Sequence, residues 1–237
     1  MHKKIRLNAA ATAGLLIILF FLIIAVFAPV IAPYDPKEMI ASYLPPSKEH
    51  ILGTNDVGQD IFSEMVYGTR VSLYIGIFAA FIVTGVGTVL ALVSGYFGGV
   101  ADKIITAIIN IAMAVPSLPL TVLLIAYLNP GKWSLIIAIS ITAWTGTARI
   151  LRARVMQLKE LPFIKIEKTM GVHPAVILFK HILPNIKDII LTRGAMAISG
   201  AMMTEAGLSF LGLGEFGEKS WGSVLHYAFF RNSIMKK

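Results

Sequence analysis

The chain has 237 residues, of which 56% are hydrophobic and only 14% charged, and its mean hydropathy of +0.76 excludes an ordinary soluble domain in favour of an integral membrane protein. The formal charge of +8 does not read as a nucleic-acid face, because the basic residues sit in short segments between apolar runs. The absence of cysteine removes disulfides, thiolate catalysis and cysteine-based metal sites.

Three charge-free intervals, Leu7–Tyr34, Val71–Ala101 and Ile104–Gly131, each exceed the roughly 20 residues that span a hydrocarbon core as a helix. The first follows Lys3, Lys4 and Arg6. Its apolar run is too long for a secretory leader, so residues 1–34 read as a tail and a retained first helix. Residues 35–70 carry the turn signals "YLPPSKEH" and "GTNDVGQD" and read as a structured segment outside the membrane. The second helix repeats small residues at every fourth position, Gly68, Ser72, Gly76, Ala80, Thr84 and Thr88, a ridge on which a neighbouring backbone packs closely.

The third helix contains Asn110, Pro116 and Pro119. Two prolines free backbone carbonyls and kink the axis, which marks either a pathway-lining helix or a structural bend. A fourth crossing is expected at Trp133–Ala148 and a fifth after Asn185, where Lys187, Asp188 and Arg193 interrupt the run. Residues 71–237 then form the core, with a loop over 149–187 and a re-entrant-like segment over 205–230.

Charge sorts the two sides. Three basic residues lie in Lys3–Arg6 and nine in Arg149–Arg193, against three basic and six acidic residues in Pro33–Arg70. The positive-inside tendency therefore places the N-terminus and the 149–193 stretch in the cytoplasm. Arg149, Arg152 and Arg154 read as markers of the membrane boundary. Five crossings from that start leave the basic residues Arg231, Lys236 and Lys237 outside, so parity predicts a sixth helix beyond them. The coding sequence that follows is expected to specify an apolar run of about 20 residues.

"KIEKTMGVHPAVILFKHILPN", Lys165–Asn185, is polar, basic and broken by proline. Pro162 suits a first helical turn and Gly171 a C-terminal stop. His173 precedes Pro174 at a second start, and Leu183-Pro184 is expected to end it. The first short helix, with Ile166 and Met170 four residues apart, is too short and charged to cross a bilayer. It either rests on headgroups or docks into a partner's groove.

This segment resembles the EAA loop of the membrane subunits of binding-protein-dependent ABC importers, through Glu167, Gly171, His181, Leu183, Pro184 and Asn185. "LGTNDVGQDIFSEMVYGTRVSLYIG" and "TEAGLSFLGLGEFGEKSWGSVL" resemble the dipeptide, oligopeptide and nickel branch of that family. Lys168 and Thr169 stand where the loop pattern has two alanines, and family members continue past "SWG" into a last helix. The resemblance implies an all-α membrane protein with about five of six transmembrane helices and a coupling-helix loop. It also implies an importer permease subunit for peptides or nickel in a prokaryotic inner or plasma membrane. Its partners would be a second permease, two cytoplasmic ATPases that carry ATP and magnesium, an external solute-binding protein, and lipid. Lys165, Ile166, Glu167, Met170, Gly171, His173 and His181 would form the ATPase-docking loop, with no cofactor on this chain. The rival class is a secondary transporter or channel independent of ATP.

Other motifs do not survive their context. Gly212-Leu-Gly-Glu-Phe-Gly217 matches G-x-G-x-x-G, but no strand-to-helix unit surrounds it, and Glu218 separates Gly217 from Lys219 in the near P-loop. His2, His50, His173, His181 and His226 have no metal-ligand spacing. Ser209 in "GLSFLG" has no base at an arguable spacing.

Overall fold

The computed structural model describes residues 9–129, 131–215 and 217–230. The described residues are helical apart from turns and one isolated bridge between Thr54 and Asp60. Three helices are long and apolar enough to cross a membrane, α1 (Ala9–Val26), α3 (Ile61–Phe97) and α6 (Lys132–Lys159). A bent pair, α4 (Gly99–Ala114) and α5 (Ser117–Leu128), makes a fourth crossing if counted as one span. The tail residues Lys3, Lys4, Arg6, Arg231, Lys236 and Lys237, and with them the end-of-chain parity argument, lie outside the described residues.

The chain divides into two compact units, one of residues 1–74 and 206–237, the other of 75–205. In the first, α1 exposes nearly all of its leucine, isoleucine and phenylalanine side chains, as a helix solvated by lipid does. The short helix α2 (Ala28–Ile31) follows with Pro29 in its first turn. Residues 35–60 fold as a cap on buried polar contacts rather than as a linker. His50 Nδ1 donates to Asp60 at 3.0 Å. The other Asp60 oxygen accepts from the Ser63 amide and hydroxyl, both at 2.8 Å.

That carboxylate caps the start of α3, because its oxygen satisfies an amide left unpaired in the first turn. The helix accordingly begins at Ile61, ten residues before the expected Val71, and the 35–70 segment ends in helix. Glu64, in the first turn of α3, is buried and neutralised. Its carboxylate meets the Lys219 ammonium and accepts from Asn55 Nδ2 at 2.9 Å. Lys219 also donates to Gln59 at 2.6 Å and lies over the Tyr227 ring.

The ridge expected on the second helix is a packing face. Gly68 faces Ser220 and Trp221, and the Trp221 amide donates to the Ser72 hydroxyl at 3.3 Å. In the second unit Gly76 abuts Met202 and Thr84 lies beside Gly194. A second ridge, Gly87, Ala91 and Gly95, seats α3 against α6. A β-carbon at Gly87 would come within 2.9 Å of the Thr147 side chain, and one at Gly95 within 2.8 Å of Val155 and 3.1 Å of the Arg152 carbonyl.

Four expectations change in form. The third interval does not merely kink at its prolines, since α4 and α5 meet at 89°. Pro116 caps α5, and Pro119 sits in its first turn, where a missing amide hydrogen is tolerated. The fourth helix does not end at Ala148 but continues to Lys159, so residues 149–159 of the expected loop are helix. Arg152 forms a bidentate pair with Asp102 at 2.6 and 2.7 Å, and Arg149 donates to Asn110 at 3.0 Å. Such forks anchor a charged helix to its neighbour.

Leu183-Pro184 does not stop the second short helix either. From α8 (Pro174–Val176) the chain enters a π-helical segment, Ile177–Ile182, and runs on as α9 (Leu183–Phe210). The Leu183 amide already donates to Leu178 five residues back, so the widened turn accommodates a proline that lacks its own donor. At 28 residues α9 is about 42 Å long, and Lys187, Asp188, Arg193 and Glu205 keep it from being uniformly apolar. It also takes in the first residues of the 205–230 segment, whose remainder is a turn and α10 (Trp221–Phe230). Gly222 of α10 packs on the Ala206 backbone, where no β-carbon fits.

Gly95→Val is expected to lower stability by about 1–3 kcal/mol through overpacking. Gly85→Val, where nothing lies within 4 Å of the added carbon, should have a much smaller effect. Thermal unfolding of the detergent-solubilised protein compares them.

Candidate functional site

The Lys165–Asn185 stretch folds back on the lower end of α3 and α6. Helix α7 (Pro162–Thr169) follows α6 after a two-residue turn. It buries Ile164 in a cluster with Ala91 and Tyr96 of α3, Leu151, Val155 and Leu158 of α6, Ile177 and Ile182 of the π segment, and Ile186 of α9. In an α-helix residues five apart point in different directions. The π turns let both Ile177 and Ile182 face this cluster.

Gly171 ends α7 at a φ of +76°. Its amide donates to Lys168 and that of Val172 to Glu167, the pair of bonds that closes a helix through a left-handed residue. The ring of His173 caps α8 by accepting from the Ala175 amide at 3.3 Å. The expected stop, turn and restart are therefore all present.

The outward side of α7 is apolar. Ile166 and Met170 are 59% and 76% exposed, and Phe163 is exposed beside them. Lys165 is held by Glu160 at 2.8 Å, and that hydrogen bond lowers the Glu160 pKa. Glu167 faces inward and pairs with His181 Nε2 at 2.9 Å, with Phe163 edge-on to the same imidazole. Two motif residues fourteen positions apart thus hold α7 against the π segment.

Asn110, Pro116 and Pro119 are exposed on α4 and α5, and the structure does not bring them together with a cavity. A cavity of about 280 Å³ lies instead among α3, α6 and α9. Val83, Ile139, Thr147, Arg193 and Thr204 are among its lining residues. Sequence reasoning missed it because each helix contributes only scattered small or polar positions. The one available signal was Arg193, an ionisable residue within a predicted crossing.

Of the histidines, His50 and His181 pair with carboxylates, His173 caps α8, and His226 Nδ1 donates to the Phe210 carbonyl at 2.7 Å. Ser209 is buried at the end of α9 against Gly214.

Residues 87–231 match the family model described as binding-protein-dependent transport system inner membrane component. Residues 1–46 match the N-terminal TM domain of oligopeptide transport permease C. The chain is 39% identical to the oligopeptide transport system permease protein OppC of Bacillus subtilis, over 93% of this chain and 73% of that protein. It is 36% identical to the dipeptide transport system permease protein DppC of the same organism, over 93% and 70%. It is also 36% identical to the glutathione transport system permease protein GsiD of Pectobacterium atrosepticum, over 96% and 76%. Among solved structures, a chain of the inward-facing MetNI methionine ABC transporter shares the fold at a TM-score of 0.57 and 18% identity, covering 73% of this chain and 89% of that one.

Glu167→Ala removes the tie between α7 and the π segment. Because a partly exposed pair contributes on the order of 1 kcal/mol, amide hydrogen exchange over residues 162–170 is expected to quicken about fivefold while that of α6 stays unchanged.

Proposed function

The chain belongs to the inner membrane components of binding-protein-dependent transport systems, a non-enzymatic permease subunit of an ABC importer, and from that premise we propose that α7 is the helix through which partner ATPases drive it. The observation that carries this reading is where α7 is clamped. One end joins α6 and the other leads through the π segment into α9, and these two helices supply most of the cavity wall.

A push on α7 therefore reaches both walls through a shared apolar cluster. Packed elements of this kind move as rigid bodies between discrete arrangements, which suits alternation between inward-open and outward-open states. Exposed Ile166 and Met170 supply apolar anchors of the kind that seat a helix in a groove. Gly171 sets the turn, and His173 fixes the restart. Glu167 and His181 act by positioning α7, and Lys165 by its pair with Glu160. Asn110, Pro116 and Pro119 belong to the bend between α4 and α5, on the face open to a second permease.

In this reading the N-terminus and α7 are cytoplasmic, the 35–60 cap faces the external binding protein, and ATP and magnesium stay on the ATPases. Peptides are the proposed cargo, since the relatives' names specify oligopeptide, dipeptide and glutathione transport. Nickel, the other cargo suggested by the sequence motifs, has no such support among these relatives.

Ile166→Asp places a charge on the exposed face without touching the cluster beneath it. It should reduce co-purification of the ATPase subunits by about tenfold or more while membrane insertion is retained. In reconstituted vesicles, flux should cease when ATP or the ATPases are withheld. Undiminished flux would instead support an ATP-independent transporter.

A further inference from the structure

Arg193 is an unusual residue to find in the wall of a membrane-helix cavity. It lies about 15 Å along α9 from Leu183. Its side chain lines the cavity, and its Nη2 lies 3.4 Å from where a β-carbon on Gly146 would stand. The guanidinium therefore lies alongside the α6 backbone at Gly146.

Its protein partners are weak. Nη1 reaches the sulfur of Met196 at 3.9 Å, and Nε is buried without an acceptor. Arg152, by contrast, is satisfied by the bidentate Asp102 pair. The hydroxyl of Thr147, next to Gly146 and also in the cavity wall, is likewise buried without a partner. A half-buried guanidinium in a helix-lined cavity, with no carboxylate partner among the described residues, is costly, and such residues mark where a charged group is received.

We propose that Arg193, with the Thr147 hydroxyl, forms a carboxylate-binding subsite that receives the anionic end of the cargo as it passes through the cavity. The proposal rests on the peptide reading above. A guanidinium presents paired N–H donors matched to the two oxygens of a carboxylate, and the hydroxyl adds a third donor. The apolar wall at Val83, Ile139 and Met196 leaves the remainder of the cargo without specific polar contacts, compatible with varied side chains behind a shared carboxylate. The volume, about 280 Å³, lies near the lower end of small-ligand sites, roughly 300 Å³.

The complete transporter, with both permeases, the ATPases and the binding protein, is reconstituted in vesicles. Uptake per transporter is measured with saturating L-alanyl-L-alanine or its C-terminal amide, so that binding-protein affinity does not enter. A charge-assisted contact made during passage predicts that the free acid is carried about tenfold faster than the amide by the native protein. Arg193→Gln should bring that ratio close to one, and Arg193→Lys should keep most of it. The proposal is overturned by a native ratio of one, by a ratio that Arg193→Gln leaves intact, or by equal loss of both probes in Arg193→Gln and Arg193→Lys. The last result would assign Arg193 to an acid of the second permease or to the fold itself. Failure of the native transporter to import either probe would overturn the peptide reading, and this inference with it.

Discussion

The second unit depends on the burial of Ile164. A helix of eight residues has too few internal hydrogen bonds to persist alone in water. It is held because this one side chain enters a cluster contributed by α3, α6, the π segment and α9. The same contact makes α7 part of two long helices rather than an appendage of either. Glu167 with His181, and Gly171 with its two closing bonds, fix its direction. With its inner face thus occupied, Ile166 and Met170 are left outward.

Close backbone approach is the complementary constraint along the same helices. A membrane offers no hydrophobic force between helices, so contact area has to come from small residues and polar ties. Gly87 and Gly95 let α3 sit on α6, and Asp102 with Arg152 ties α4 to α6. Helix α6 is consequently braced along its length, from the cavity-lining Thr147 to the cluster at Val155 and Leu158. That bracing makes it suited to transmit motion over the roughly 18 Å from Lys159 to Thr147.

Much of this was legible in the residues. Apolar runs marked the membrane helices, the four-residue ridge marked a packing face, and Gly171, His173 and Pro174 marked the turn, because each of these signals is local. What failed depended on distant partners. Arg152 read as a marker of the membrane boundary, whereas it pairs with Asp102 inside the bundle. Pro184 looked like a terminator, but the π segment had already shifted the hydrogen-bond register. Glu167, expected in the docking loop, also has a partner within the chain that no local signal announced, His181, fourteen residues on in the same motif. The cavity left no periodic trace because three helices share its wall.

The central claim is that α7 moves the cavity walls. Spin labels at Ala143 of α6 and Ala197 of α9, both lining the cavity, report the distance across it by pulsed electron paramagnetic resonance in the reconstituted transporter. The account predicts that a non-hydrolysable ATP analogue shifts this distance by several ångströms and that Ile166→Asp abolishes the shift. A shift of the same size in the Ile166→Asp protein, or none in the native one, would contradict it.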